Sequence, residues 1–287
     1  MMKKSLIPRA FVLLAYSCSQ PVFAELPIFK DRPWLGYFAV FTDARTQVAV
    51  TGQGAITFAH VTTKNEISSS VALSVQIYVE ETLPDGKKTE RPIDPASMES
   101  SQSPVTNPDQ LVIKGKAEGG VVFEILIEPK RDMFCFGGRI LDPGSLAHDP
   151  LCIVVRLPIP ATHAKPEPVP NQKESRTAIR DGEKAFLKAV SSDTVRLKRL
   201  DGKSLKLSFD KSLTASPDFF NGSGMVEVDV DTRWAGGMGF VLSASPNSSI
   251  SIANTAENPL YQGFVLTWRS DPSKDPEGKA RLGMRMK

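Results

Sequence analysis

Ser70-Val71-Ala72-Leu73-Ser74-Val75-Gln76-Ile77-Tyr78-Val79-Glu80-Glu81 is the stretch whose reading decides the fold. Val71, Leu73, Val75, Ile77 and Val79 recur at every second position, with Ser74 and Gln76 between them. A period of two places the apolar set on one face of a strand and the polar set on the other. This is the pattern of an antiparallel sheet with one face on a core and the other in water.

The flanking runs are of the same kind. Short β-branched or aromatic segments set off by turn residues predict strands at 34–41, 46–58, 110–114, 120–128, 133–140 and 151–157. Gly52 and Gly54 interrupt the second of these and predict a bulge or bend. In the first, Trp34, Phe38 and Val40 share one face, and Tyr37, Ala39 and Phe41 share the other. Both faces are apolar, so these aromatics, like Tyr261, Phe264 and Trp268, read as core rather than as a binding platform. Residues 83–109 are polar and carry Pro84, Pro92, Pro95, Pro104 and Pro108, which reads as a long irregular excursion.

A break in composition follows. Pro166-Glu167-Pro168-Val169-Pro170 cannot donate a strand ladder and favours an extended spacer. The expected organisation is all-β, with two antiparallel units. An N-terminal β-sandwich (25–160) and a C-terminal small barrel or sandwich (176–287) are joined by a proline-rich linker (161–175) and fold independently.

Within the second unit, 177–190 is the one segment with helical character, weakened by Gly182. Residues 193–199 and 203–209 flank Leu200-Asp201-Gly202. A two-residue loop would pair Lys198 with Leu205. A three-residue loop with Gly202 left-handed pairs Leu197 with Leu205 and Val195 with Leu207, all on one face, and is the register expected. Further strands are predicted at 225–231, 239–243, 249–252 and 263–268. The polar tail from Asp271 reads as frayed, with Leu282-Gly283-Met284 as a candidate short last strand.

Residues 176–221 carry a local resemblance. Arg176-Thr177, Asp181-Gly182, Val195-Arg196-Leu197-Lys198, Asp201-Gly202-Lys203, Leu213, Ser216 and Asp218-Phe219-Phe220 together resemble the Sla homology domain 1 family. That resemblance implies a Src-homology-3-like barrel with a binding role and no reaction. The tryptophan that this family places soon after the Arg-Thr pair is absent, and Ala178 stands there. Residues 25–160 resemble no recognised family.

The first 24 residues read as a secretory signal peptide. Lys3, Lys4 and Arg9 precede the short apolar run Ala10–Tyr16, and Val22-Phe23-Ala24 ends in a small residue before Glu25. The apolar run is too short to span a bilayer. Cys18 is a poor lipid-anchor acceptor with Tyr16 nearby. The expected location is periplasmic or secreted. Losing Lys3, Lys4 and Arg9 takes the net charge from +3 to zero, so the mature chain lacks the general electrostatic pull that nucleic acid binding needs.

Export also bears on the cysteines. Cys18 leaves with the signal and Cys135 and Cys152 remain. With 133–140 and 151–157 returning as a hairpin that sets Cys135 opposite Cys152, a Cys135–Cys152 disulfide is the expected state. The alternative is two buried free thiols.

Residues that could carry chemistry are few. The histidines are His60, His148 and His163, and the last sits beside the proline linker, where nothing is expected to hold a catalytic triad rigid. Gly222-Ser223-Gly224 falls short of a nucleophile elbow. Asp142, His148 and Asp149 read as a turn rather than a metal set, and Gly236-Gly237-Met238-Gly239 matches no phosphate loop. No cofactor or metal is implied.

Along 226–231 the valines face one way, and Glu227, Asp229 and Asp231 face the other, about 7 Å apart by strand geometry. That spacing suits a glycosidase acid/base pair. The stronger reading is an acidic face ion-paired with the basic hairpin residues Arg196, Lys198 and Lys206. Trp234, beside Asp231 and Arg233, is the best single ligand contact. The reading is an exported, non-catalytic envelope or extracellular binding or structural protein with a protein or glycan partner. Its rival is a secreted carbohydrate-active hydrolase using Asp229 and Asp231.

Overall fold

The computed structural model describes residues 36–42, 46–60, 72–100, 104–146, 150–164, 176–221, 224–232, 239–255 and 257–287. The signal segment, Cys18, Trp34, His148, most of the proline linker and Trp234 lie outside the described residues.

The chain is all-β, as its alternation requires. The first half supplies β1 (Tyr37–Thr42), β2 (Thr46–Thr51), β3 (Ile56–His60), β4 (Leu73–Thr82), β5 (Lys88–Arg91) and β6 (Ile93–Ser100). It continues with β7 (Val105–Thr106), β8 (Leu111–Ala117), β9 (Val121–Lys130), β10 (Met133–Asp142) and β11 (Leu151–Ile159). The second half opens on α1 (Arg176–Ser192), then β12 (Thr194–Arg199), β13 (Ser204–Ser208) and the one-turn α2 (Pro217–Phe220). It closes with β14 (Met225–Asp231), β15 (Phe240–Ala244), β16 (Ser248–Ala253), β17 (Phe264–Ser270) and β18 (Leu282–Met286). No described helix is long and apolar enough to cross a membrane.

Pairing runs along two paths. One goes β7-β1-β2-β3-β4-β11-β17-β16, and the other goes β6-β8-β9-β10-β18-β15. They meet at β14, which also pairs with β12, and β13 follows at the margin. The β1–β7 ladder is parallel, so the sheet is mixed. The two paths are curled face to face. Phe41 and Phe58 on the first meet Phe134 on the second edge-on, at 5.9 and 5.8 Å between ring centroids.

The core is one cluster across both halves. It holds Phe58, Phe123 and Ile153 together with Val195, Val228, Trp268 and Met284. Strand pairing crosses the same boundary. β11 pairs with β17 from Val154–Arg269 to Ile159–Phe264, and β10 pairs with β18 from Phe134–Met284 to Phe136–Leu282. The sheet is therefore continuous past the position where the linker divides the sequence.

Where local pattern was strong, the elements match it. The β12–β13 hairpin takes the register argued from its leucines: Leu197 opposite Leu205, Val195 opposite Leu207, and Gly202 at φ 85°. β1 is buried on both faces, from Phe38 to Phe41. In α1, Val190 is buried and Phe186 packs edge-on against Tyr261 at 5.3 Å.

Four expectations are corrected. Residues 46–58 are two strands rather than one bulged or bent strand. Gly54, at φ 78°, donates its N–H to the Thr51 carbonyl at 2.9 Å, and the chain reverses there.

The prolines of 83–109 do not prevent strands. β5, β6 and β7 form there, and β6 runs at the margin of its sheet, where a missing donor is tolerated.

The tail is not frayed. Asp275 accepts the N–H groups of Lys279 at 2.8 Å and Ala280 at 2.6 Å, and β18 lies buried between β10 and β15.

The fourth correction is the cysteine hairpin. β9 and β18 occupy the two edges of β10, and β4 and β17 occupy those of β11, so neither strand has an edge left for the other. Cys135 sits opposite Glu128 and Gly283, and Cys152 sits opposite Glu80. Both are buried free thiols.

Candidate functional site

The acidic row on β14 lies flat on the sheet. Glu227 is opposite Lys198 and Asp229 is opposite Arg196, the basic and acidic arrangement weighed above. Asp229 is also ion-paired with Lys287. Asp231, at the strand's exposed end, is opposite Thr194. Trp234 lies outside the described residues, so nothing here joins it to this row.

The structure gathers charge elsewhere, on the outer face of β4. Alternation holds from Leu73 to Gln76 and then stops: Tyr78 and Glu80 should face water, yet both are buried. Two guanidinium groups account for it. The Arg156 guanidinium lies 4.5 Å over the Tyr78 ring, donates to Tyr78 Oη at 2.9 Å and pairs with Glu90. Arg269 of β17 reaches across β11 to Glu80. Its Nε lies 2.8 Å from Oε1, and its Nη2 lies 2.8 Å from Oε2. Lys88 Nζ adds a contact to Oε1 at 3.2 Å, and Arg269 Nη1 donates to Ser251 Oγ at 3.2 Å.

This network floors a groove of about 750 Å³. Glu80, Thr82, Lys88, Cys152 and Arg269 form the floor from both halves of the chain. The walls come from three turns and the strand ends beside them: Leu200 at the β12–β13 tip, Ser245–Asn247 leading into Ser248 and Ser249 of β16, and Ser270 at the end of β17 with Asp271, Pro272 and Lys274 after it. Neither Asp229 nor Asp231 lines it.

The electrostatics of the floor follow from these contacts. Burial pushes the Glu80 carboxyl up, but the hydrogen bonds and charge of Arg269, with Lys88, outweigh it and hold the carboxyl below the usual range. Asp271 is pulled down to about 2 by the hydrogen bond from Ser273 and by Lys274. Burial, with Glu80 opposite, raises the Cys152 thiol to about 11, so it stays protonated and unreactive. Burial likewise raises Tyr78, against the pull of Arg156 and Arg269.

His163 is held, contrary to expectation. Its Nε2 lies 2.9 Å from Oδ2 of Asp193, whose side chain is fully buried and also accepts from Thr232 Oγ1 at 2.7 Å. Sequence reading missed both this pair and the groove. The one available signal was Glu80-Glu81 closing an apolar strand, two adjacent carboxylates that the fold then buries on opposite faces. Glu81 is met by Arg91.

No family model and no curated protein matches this chain. Among solved structures it is similar to an α-N-acetylgalactosaminidase, NagBb, from Bifidobacterium bifidum. The identity is 11%, over 86% of this chain and 36% of that one, with a TM-score of 0.50. It is also similar to the Slr1438 protein from Synechocystis, at 8% identity over 91% of this chain and 98% of that one, with a TM-score of 0.44. The chain spans about a third of the glycosidase's length, and the likeness is one of fold.

Proposed function

We propose that this is an exported, non-catalytic binding protein of the envelope or extracellular space, and that the groove over Glu80 and Arg269 is its ligand site. The observation that carries this reading is the pairing of the groove's carboxylates: Arg269 and Lys88 hold Glu80, and Lys274 and Ser273 hold Asp271. Glycoside hydrolysis by a carboxylate pair needs one carboxyl that keeps its proton near neutral pH. Glu80 and Asp271 are both displaced the other way, each by a cation and hydrogen bonds. Such groups orient a ligand and do not pass it a proton.

The volume lies within the range of small-ligand sites, and the lining mixes apolar wall with convergent polar groups. The fold likeness to part of a glycosidase supports a carbohydrate-related role without assigning a substrate. The hydrolase reading through Asp229 and Asp231 has that likeness in its favour. The flat setting of the two residues, with Asp229 ion-paired to Lys287, counts against it.

The test is an array of saccharides and peptides probed with the mature chain and with Leu200→Asp. Leu200 is 72% exposed, so the substitution alters the groove wall without touching the core. Binding lost in the variant supports the reading, and binding indifferent to it refutes the site. Intact mass of the native protein tests export: a chain still carrying residues 1–24 would refute cleavage.

A further inference from the structure

We infer that the groove takes a sugar acid, a hydroxyl-dense ligand bearing a carboxylate; this rests on the groove being the ligand site. Three cations line it, Lys88, Arg269 and Lys274, against two carboxylates, Glu80 and Asp271. One positive charge is left over.

Where the charges sit sharpens the point. Glu80 is 3% exposed and Asp271 36%, whereas Lys88 and Lys274 are 51% and 68% exposed. Glu80 is recessed beneath its partners, and Asp271 is less exposed than Lys274. An ammonium carries three donors, and each of these exposed lysines makes one ion pair, so both keep donors to spare for a ligand. A carboxylate complements them by charge and by hydrogen bonding.

The remaining polar lining calls for hydroxyls. Among the described residues, Thr82, Ser249 and Ser270 line the groove half-buried, with side chains that make no hydrogen bond. A hydroxyl both donates and accepts, so it pairs with any orientation of a sugar hydroxyl. A simple anion would use these three only as donors, whereas a sugar hydroxyl uses both capacities.

An acidic peptide fits less well. Extended peptides dock by adding to an open strand edge. The strands that carry Glu80 and Arg269 have none: β4 lies between β5 and β11, and β17 lies between β11 and β16. Among the described residues β5, which carries Lys88, pairs with β4 alone, and the triglutamate control tests that edge. Side chains and turns are what the floor offers, which is how a small polar ligand is held.

The experiment titrates the mature chain with trigalacturonic and triguluronic acids, with galactotriose as the neutral hydroxyl-bearing control and triglutamate as the peptide control. At least one uronate should bind, with both controls at least tenfold weaker. Added salt should weaken binding, and Lys88→Gln with Lys274→Gln should weaken it at least tenfold. Both lysines are exposed, and an unchanged circular dichroism spectrum verifies the variant's fold. Failure of both uronates to bind overturns the assignment, as does equal binding of galactotriose or indifference to the lysine changes. If a control binds instead and Leu200→Asp abolishes it, the sugar-acid assignment fails and the groove stands as the site. If a bound probe ignores both Leu200→Asp and the lysine changes, the groove itself is not the site.

Discussion

Glu80 and Arg269, 189 residues apart in sequence, form a two-point ion pair across β11. The carboxylate is 3% exposed and the guanidinium 25%. One residue comes from each half of the chain, so the pair links the halves and floors the groove in a single contact. Buried pairs of this kind add little net stability over an apolar substitute, but losing one partner leaves a charge stranded.

Glu80→Gln should therefore destabilise the protein by about 2–3 kcal/mol in urea unfolding at neutral pH, because Arg269 loses its counter-ion. The pH dependence has a definite sign. The folded carboxyl lies below its ordinary 4.5, so its contribution is present above that value and is lost as pH falls through the folded one. Asp271 acts the same way between 3.8 and about 2. Wild type should lose stability on acidification below 4.5, and Glu80→Gln should lose less of it over the same range.

The shared core and the β11–β17 and β10–β18 ladders predict one cooperative unfolding transition. Tryptophan fluorescence, which includes the buried Trp268, and far-ultraviolet circular dichroism should give the same urea midpoint. Two separated transitions would mean that the halves fold independently after all.

Asp193→Ala removes a fully buried carboxylate that holds His163 and Thr232. The expected cost is about 2 kcal/mol, with His163→Ala costing about 1. Because His163 lies at the start of the linker, both variants should also speed proteolysis just after it. Unchanged cleavage there would show that this contact does not anchor the linker.

Cys135 and Cys152 should both alkylate in denaturant without reductant, and neither should react in the native protein. Burial raises both thiols, Cys152 to about 11, which removes the reactive thiolate at neutral pH. A Cys135–Cys152 peptide pair found by mass spectrometry under non-reducing conditions would contradict the strand arrangement.

What the sequence made legible was local. The alternation of 70–81 and the leucine register of 193–209 each rest on neighbours a few residues apart, and both gave the right strand or hairpin. The cysteine hairpin failed because a local argument cannot see that β18, from the far end of the chain, claims the open edge of β10. Glu80 was illegible for the same reason. Alternation assigns it to water, and only Arg269 from the other half explains its burial. The break in pattern at Tyr78 and Glu80 is thus the trace that the groove leaves in the sequence, readable only with the fold in hand.

The central claim is that the groove binds without turning its ligand over. The direct measurement follows a bound saccharide by mass spectrometry while the mature chain is held with it at saturation. The account predicts saturable binding, weakened by the Leu200→Asp and Lys88→Gln changes, with the saccharide's mass unchanged throughout. Cleavage at a rate proportional to protein concentration, and abolished by Asp229→Asn or Glu80→Gln, would contradict it.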